Sequence, residues 1–401
     1  MNRSAGSPFR ALCRSAAALA LLALAACAPQ QRVPAGQGPS GPAGPAVDAD
    51  GPATVALLVP TGSGDATRNA IGTSLQNAAQ LAVADLRGAR IDLRIYPTGG
   101  RAAGGADAAR RAMADGADLI VGPLIADVAT AVAPIAAAEG VNVLSFSNTP
   151  SIAGGNLFIT GITFEDRANR VVGFASSRGL RNIGVIYPED QAGFAGLSAV
   201  EQAAPRFGAS VVARGSYPKS TNGITRAAPD YVAAVRDAGA NGIVMPDFGS
   251  GLLFAASFLP VYGVQPGQTQ LLGLRDLNRT SLLQEAGLQG MWFPMADPGP
   301  NLAFQQRYRD AYGEPPHPLA GIAYDTVAAA GAMLADARQS GDDTPFSRDD
   351  LTDPGGFAGV NGIFRYLPNG RNQRGLAVME VNRAGAVVVD PAPRRFVQPG
   401  A

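Results

Sequence analysis

Short apolar runs alternate with longer, alanine-rich stretches along most of the chain. The runs at 55–60, 90–97 and 118–124 are each followed by a stretch of helical length, and the third leads through its helix to the run at 141–148. Strands and helices that alternate at this spacing predict βαβ units around a parallel sheet. The runs are apolar at successive positions, as expected for strands that are covered by helices on both faces.

The pattern begins again in the second half of the chain. NIGVIYP at 182–188 matches TVALLVP at 54–60, and GANGIVMP at 239–246 matches GADLIVGP at 116–123 in the same order. Two matches in one order predict a duplicated, doubly wound lobe with a parallel central sheet. The fold class is therefore predicted to be α/β, with two such lobes linked by crossovers.

Each predicted lobe uses two separate stretches of the chain. The first crossing is expected near 158–167 and the return near 288–298. Two alternating strands around Asn369-Gly370, a strong hairpin signal, are expected to add a C-terminal β-hairpin to the second lobe. The predicted domains are 53–163 plus 290–355 for the first lobe, 164–289 plus 356–392 for the second lobe, and 393–401 for a tail.

The amino terminus has the layout of a secretory signal peptide. Basic residues without any acidic residue precede an apolar run at 16–26, which is shorter than the ~20 residues that span a bilayer. The run leads into LAAC at 24–27, which resembles the bacterial lipobox. This resemblance implies a signal peptide at 1–26, lipidation of Cys27 and attachment to a membrane, and Ala28 in place of an aspartate favours the outer membrane.

Residues 27–52 are rich in proline, glycine and alanine and show no hydrophobic periodicity. A segment of this composition buries too little apolar surface to fold. We expect a disordered linker that holds the folded part away from the membrane.

Composition argues against several classes of function. The 401 residues carry no net charge and their basic residues are thinly spread, so nucleic acid is not an expected partner. One histidine, and no cysteine after Cys27, leave no ligand set for a zinc site. The glycines at 62–64 begin a dinucleotide-binding fingerprint, but Thr67 replaces its last glycine, and no G-x-S-x-G motif occurs. We expect no cofactor, no metal and no enzymatic activity.

The candidate site follows from the predicted sheets. Ligands of open parallel sheets bind outside the carboxyl ends of the strands, and in two facing lobes these ends line a cleft. Hydroxyls and amides beside helix amino termini favour a carboxylate, and Asp190 or Asp247 would pair with an ammonium. The alternative is that these side chains only cap helices. The predicted cleft residues are Thr61, Ser63, Leu124, Ser145, Ser147, Asn148, Tyr187, Asp190, Asp247 and Phe248, with Glu189, Arg275 and Asp276 beside them.

Five segments carry a resemblance to a known fold. They are VALLVPTGSG (55–64), LIVGPLIADVATAVAPIAAAEGVNVLSFSNTP (119–150), RNIGVIYPEDQAGFAGLSA (181–199), GIAYDTVAAA (321–330) and GVNGIFRYLPNGRNQRGLAV (359–378). Together they resemble type I periplasmic binding proteins of the leucine-binding-like branch. The resemblance implies a cleft that grips an amino acid, with Ser147, Asp190 and Tyr324 among the contacts.

Within that fold, the lipobox and the GPL…SFSN run resemble lipoproteins called penicillin-binding-protein activators. This resemblance implies an outer-membrane lipoprotein of the cell envelope that contacts a bifunctional penicillin-binding protein and stimulates peptidoglycan synthesis. It gives the first of two predicted functions. The alternative is an ABC-transporter substrate-binding lipoprotein for branched-chain amino acids or related small solutes.

Three arginines of the C-terminal segment are candidates for contact with a protein partner, because exposed arginines are favoured at interfaces. The alternative is a solvated ribbon. The three are Arg365, Arg371 and Arg374.

Overall fold

We describe the protein from a computed structural model, which describes residues 44–48, 51–265, 267–278 and 280–396. The predictions for the signal peptide, for Cys27 and for most of the linker concern residues outside this part. Within the described ranges, no helix is both long and apolar enough to cross a membrane.

Helices and strands alternate along the described chain. In order they are β1 (Ala53–Val59), α1 (Ala66–Asp85), β2 (Ile91–Pro97), α2 (Ala102–Ala114), β3 (Leu119–Val121), α3 (Ala126–Ala138), β4 (Asn142–Ser145), a 3₁₀ turn (Pro150–Ile152), β5 (Leu157–Ile159), α4 (Phe164–Ser177), β6 (Asn182–Pro188), α5 (Gln191–Arg206), β7 (Ser210–Tyr217), α6 (Thr221–Asp237), β8 (Gly242–Met245), α7 (Gly249–Val261), β9 (Gln270–Gly273), α8 (Thr280–Leu283), a 3₁₀ turn (Ala286–Leu288), β10 (Trp292–Met295), α9 (Pro298–Tyr312), α10 (Ala320–Ser340), α11 (Arg348–Leu351), β11 (Phe357–Gly359), β12 (Gly362–Tyr366), β13 (Asn372–Arg374), β14 (Ala377–Asn382) and β15 (Gly385–Asp390).

The strands form two large sheets with the same central topology. The first sheet is parallel, in the order β2-β1-β3-β4-β5. The second contains the parallel strands β7-β6-β8-β9-β10 and continues through β14 and β15, which are antiparallel. β1 lies between β2 and β3, as β6 lies between β7 and β8. The predicted α/β class and the duplication are confirmed.

Both sheets are covered by helices on two faces, which explains their continuous apolar runs. In β1, Leu57 belongs to a core that includes residues of α1, α9 and α10, whereas Leu58 belongs to a core with α2 and α3. In β6, Ile186 faces the core with α6 and α7, and Val185 faces the core with α4 and α5. Successive side chains of a strand point to opposite faces, so both faces of these strands are buried.

The structure corrects the predicted lobe boundaries in two places. The strand at 292–295, predicted to open the second segment of the first lobe, pairs with β9 and β14 of the second sheet, because Phe293 and Met295 fill its core. The return crossing therefore follows Met295. The hairpin around Asn369-Gly370 does not join the second lobe, because β11, β12 and β13 form a separate antiparallel sheet. The hairpin that does extend the second sheet is β14–β15.

The predicted linker is also shorter than expected, because residues 44–48 pack on the first lobe. Val47 is buried in the same core as Phe346. Its N–H donates to the carbonyl of Asp343 at 2.7 Å. The buried Val47 side chain and this backbone hydrogen bond help to hold the segment against the first lobe.

Candidate ligand-binding site

Two carboxylates, a lysine and a tyrosine form a network at the carboxyl ends of β6, β7 and β8. The Lys219 Nζ lies 2.7 Å from Asp190 Oδ2 and 3.4 Å from Asp247 Oδ1. The Tyr217 hydroxyl donates to Asp247 Oδ2 at 2.8 Å, and the Phe248 N–H donates to Asp247 Oδ1 at 2.8 Å. Asp190 also caps α5 by accepting a backbone N–H of its first turn. The two aspartates predicted for the cleft thus meet in one charged network.

The contacts set the protonation states of the network. Partial burial raises the pKa of Asp190, but the hydrogen bonds from Lys219 and from the start of α5 outweigh it, so the pKa lies below its usual value. The hydrogen bond to Asp190 raises the pKa of Lys219. Burial, and then the charge of Asp247, raise the pKa of Tyr217. At neutral pH Asp190 is an anion, Lys219 a cation and Tyr217 a neutral donor.

Arg275, directly beyond β9, is a cation at the same edge of the second sheet. Its guanidinium carbon lies 4.9 Å from the centroid of the Phe164 ring. Its Nε is buried and has no hydrogen-bond partner among the described residues. Burial lowers the pKa of Arg275, and the charges of Asp247 and Asp190 act in the opposite direction. The described part of the chain therefore leaves this half-buried guanidinium without a carboxylate in contact.

In the first lobe, the serines beyond β4 are bound to the backbone around them. The fully buried Ser145 donates its hydroxyl proton to the Pro123 carbonyl at 2.7 Å and accepts the Ser147 N–H at 3.1 Å. Ser147 Oγ in turn accepts the Thr149 N–H at 3.2 Å. Asn148 is exposed. Ser145 therefore shapes the loop, whereas Ser147 keeps its own hydroxyl proton for a further acceptor.

Three other predicted residues of the first lobe have local roles. Ser63 uses both its N–H and its hydroxyl to bind Asn69 Oδ1, at 3.0 and 3.1 Å, which fixes the turn before α1. Thr61 accepts the Gly99 N–H at its carbonyl. Leu124 packs against the first core. These contacts give Ser63 a local role in the turn before α1 and Leu124 a packing role.

Aromatic rings lie beside the charged network in the second lobe. The ring of Tyr187 lies 5.9 Å from that of Phe194, which is 53% exposed. Phe248 is half-buried and, with Lys219, lines a pocket of about 640 Å³ between the starts of α6 and α7. The edge of the second sheet therefore offers apolar surface next to its charges.

A second cavity, of about 390 Å³, lies at the opposite end of the second sheet. Its wall includes Asn241, Gln270 and Trp292, which stand at the amino ends of β8, β9 and β10. The rule that places ligands at carboxyl ends does not apply there, and the cavity is remote from the charged network.

Tyr324 does not lie with the other predicted cleft residues. Its hydroxyl donates to Asp85 Oδ2 at 2.7 Å and accepts from Arg307 at 3.3 Å. Asp85 is the last residue of α1, whereas Ser63 lies just before the first turn of that helix. A helix of 20 residues is roughly 30 Å long. The prediction of Tyr324 as a cleft contact is therefore wrong.

Arg374 is buried, which corrects its prediction as part of an exposed partner surface. Its side chain is 0% exposed and lies 3.3 Å from the equally buried Asp325 of α10. Its Nε donates to the Thr160 carbonyl, in the first crossing, at 2.9 Å, and its N–H donates to Asp166 of α4 at 3.1 Å. Burial raises the pKa of both aspartates. Arg374 thus joins elements of both lobes at the crossing, which excludes it from any surface.

The other two arginines of that segment are more accessible. Arg365 donates to Gln373 and to the Pro354 carbonyl, and its guanidinium stacks on Phe396. Arg371 is half-buried in the turn after Asn369. The partner surface predicted from three arginines is reduced to these two, and its role stays a prediction.

Lys219 and Tyr217 are the members of the network that the sequence analysis missed. They flank Pro218, which directly follows β7, and the apolar runs of the sequence did not predict this strand. The two valines in SVVARGSY at 210–217 and the proline after it were the available signal. Arg275, named beside the predicted cleft residues, lies two residues beyond the end of β9.

Two α/β lobes of matching topology, with polar groups at the carboxyl ends of both sheets and a C-terminal sheet at the crossings, define a type I periplasmic-binding-protein fold. The chain belongs to the periplasmic binding protein family, whose profile matches residues 52–386. The family is one of binding proteins, which agrees with the predicted non-enzymatic role. Membership points to a location in the periplasm or cell envelope.

Solved structures support the same assignment of fold. A putative branched-chain amino acid ABC transporter protein from Rhodospirillum rubrum has a TM-score of 0.73 at 19% identity, covering 84% of this chain and 100% of that one. A substrate-binding protein from Desulfitobacterium hafniense, in complex with Leu, has a TM-score of 0.60 at 18% identity, with coverage of 84% and 100%. A solute-binding protein from R. palustris, in complex with benzoate, has a TM-score of 0.58 at 16% identity, with coverage of 87% and 98%. A search of curated proteins gave no match.

Proposed function

We propose that the protein is the solute-binding component of an ABC transporter, and that it holds a small ligand between its lobes. The observation that carries this proposal is the placement of polar side chains at the carboxyl ends of both sheets. Ser147 and Asn148 supply them in the first lobe, and Asp190, Asp247 and Arg275 supply them in the second. Relatives of the same fold bind Leu and benzoate, which supports a small organic ligand here.

Attachment to a membrane through Cys27 is a second part of the proposal. LAAC at 24–27 supports it, and Ala28 favours the outer membrane, as the resemblance to lipoproteins implies. Several acyl chains at roughly 0.8 kcal/mol per buried CH₂ give a stable anchor. In cells fed labelled palmitate, the wild-type protein should carry the label in the membrane fraction. The Cys27→Ala variant should lose both the label and the membrane association, and a labelled variant would contradict this assignment.

The role of activator of a penicillin-binding protein stays a prediction. Its support is the lipobox and the GPL…SFSN run alone, and the structural relatives named for this fold are ABC-transporter and solute-binding proteins. Peptidoglycan synthesis by a bifunctional synthase, assayed with and without the protein, is the direct test. Under the proposed transport function the rate should not change.

The binding function is tested by the ligand that the protein carries and by the ligands that it accepts. Protein purified without denaturation should release a small organic molecule on unfolding, detectable by mass spectrometry. Calorimetry with leucine, isoleucine, valine and benzoate should detect binding of at least one of them, and Ser147→Ala should weaken it. Ser340→Ala, an exposed serine at the end of α10, is the matched control. No released molecule and no binding at millimolar concentration would refute the function.

A further inference from the structure

Asp190 and Asp247 of the second lobe are already paired with a cation of the protein itself, the half-exposed Lys219. Asp247 is 2% exposed at its side chain, and each of its oxygens accepts a hydrogen bond, from the Tyr217 hydroxyl and from the Phe248 N–H. Lys219 lies within 3.4 Å of this carboxylate and 2.7 Å of Asp190. Asp190 uses its other oxygen to cap α5. The ammonium of Lys219 thus stands where the ammonium of an amino acid would need to bind.

An amino acid bound to these aspartates would have to displace Lys219 or join it. Displacement would leave the Lys219 ammonium without its two partners. Joining would place a second ammonium beside Lys219 and near Arg275, where like charges repel. Each outcome lowers the affinity of the cleft for a ligand that carries an ammonium.

Arg275 is in the opposite situation, because no carboxylate among the described residues contacts its guanidinium. Its side chain makes no hydrogen bond and no ion pair with any described residue, and its Nε is buried. Stacking on Phe164 holds the guanidinium plane, and a held guanidinium binds a carboxylate through two parallel hydrogen bonds. A ligand carboxylate would supply the missing charge and the missing acceptors.

We propose that the ligand of this cleft is a small carboxylic acid without an ammonium group, bound through its carboxylate to Arg275. In this arrangement the ammonium of Lys219 neutralises Asp190 and Asp247 in place of a ligand ammonium. This inference rests on the proposed solute-binding function and specifies its ligand class. The aromatic rings of Phe164 and Phe248 suit an apolar body on that acid.

Three probes of nearly one shape separate the charges of the ligand. They are 4-methylpentanoate, leucine and 3-methylbutylamine, which carry the carboxylate alone, both groups and the ammonium alone. Benzoate tests an aromatic body. Calorimetry should show that 4-methylpentanoate binds at least tenfold more tightly than leucine, and that the amine does not bind.

Two variants assign the effect to the named residues. Arg275→Gln should weaken binding of the acids at least tenfold, whereas Arg383→Gln, an exposed arginine of the β14–β15 turn, should not change it. Lys219→Met should free the two aspartates and shift the preference at least tenfold toward leucine. Circular dichroism and thermal unfolding check that each variant is folded. If Arg275→Gln unfolds, Arg275→Lys keeps the charge and removes the paired donors, and it should also weaken binding.

The outcomes separate this inference from the function on which it rests. Tighter binding of leucine than of 4-methylpentanoate by the wild-type protein would overturn the inference and uphold the binding function. Unchanged binding of the acids by Arg275→Gln would also overturn it. Failure of every probe to bind at millimolar concentration, together with no co-purified molecule, would overturn both.

Discussion

Removal of Arg374 should destabilise the protein strongly, because it takes away the cation that faces a buried carboxyl. Arg374→Met would leave Asp325 as an ionised or newly protonated carboxyl with 0% exposure and would remove the donor to the Thr160 carbonyl. At 3.3 Å and an effective dielectric constant of about 20, the direct attraction is about 5 kcal/mol. Breaking a buried pair by removing one partner costs about 3–5 kcal/mol. We expect a loss in the free energy of unfolding of that size.

The assay is urea unfolding at pH 7, followed by far-ultraviolet circular dichroism. Arg365→Met is the matched control, because Arg365 lies on the neighbouring strand β12 and its hydrogen bonds are exposed. Contacts of that kind contribute about 0–1 kcal/mol. The double variant Arg374→Met/Asp325→Asn removes both charges and should recover part of the loss. A loss below about 1 kcal/mol for Arg374→Met, or a double variant no more stable than the single one, would refute the reasoning.

Three further substitutions test the structure at separate places. Gly122→Ala should lower the free energy of unfolding by about 1–3 kcal/mol, because φ is +87° and a Cβ would collide with the Leu58 carbonyl. Gly116→Ala, at φ +74° with open space around it, should lower the free energy of unfolding less. Equal losses for the two variants would contradict the role of the collision. Thr163→Ala should lower the free energy of unfolding by ~1 kcal/mol, because Thr163 forms a capping box with Asp166. Thermal unfolding measures this loss, and an unchanged midpoint would show that the cap does not stabilise the protein. Asp190→Asn should lower stability by less than about 1 kcal/mol at pH 7. The pKa of Asp190 is lower in the folded protein than in the unfolded chain. The stability difference should therefore persist above the unfolded pKa of about 3.9 and vanish as pH falls through the folded pKa. A stability difference that grows toward acid pH would contradict this direction of the shift.

The sequence pattern predicted the parallel strands well because burial between two helix layers leaves a local trace. The runs around Leu57 and Val185 are apolar at nearly every position, and the structure buries both faces of these strands. The predicted placement of Asp190 and Asp247 at strand ends followed from the same trace, since carboxyl ends of neighbouring parallel strands meet at one edge. The lobe of β10 was predicted wrongly, because a short apolar run fits the core of either lobe. Its pairing with β14 places it in the second sheet.

The contacts of the candidate site were harder to predict from the sequence, because they join segments that are distant along the chain. Lys219 reaches Asp190 across 29 residues of sequence, and Arg374 reaches Thr160 across 214. An arginine in an alternating strand is typical of a solvated ribbon, and only the fold buries Arg374 against Asp325 of α10. Tyr324 was predicted from the resemblance to binding proteins alone, and no pattern in the sequence indicates that its hydroxyl lies next to Asp85.

The sequence by itself determined the α/β class, the duplication of the lobes and the strand ends at which polar residues collect, because hydrophobic periodicity is a local property that survives without the fold. The tertiary structure alone decided which charges meet. It paired Lys219 with two aspartates, left Arg275 without a contacting anion among the described residues and buried Arg374 at the crossing. Electrostatic interactions depend on distance and burial, and both are set only when the segments come together.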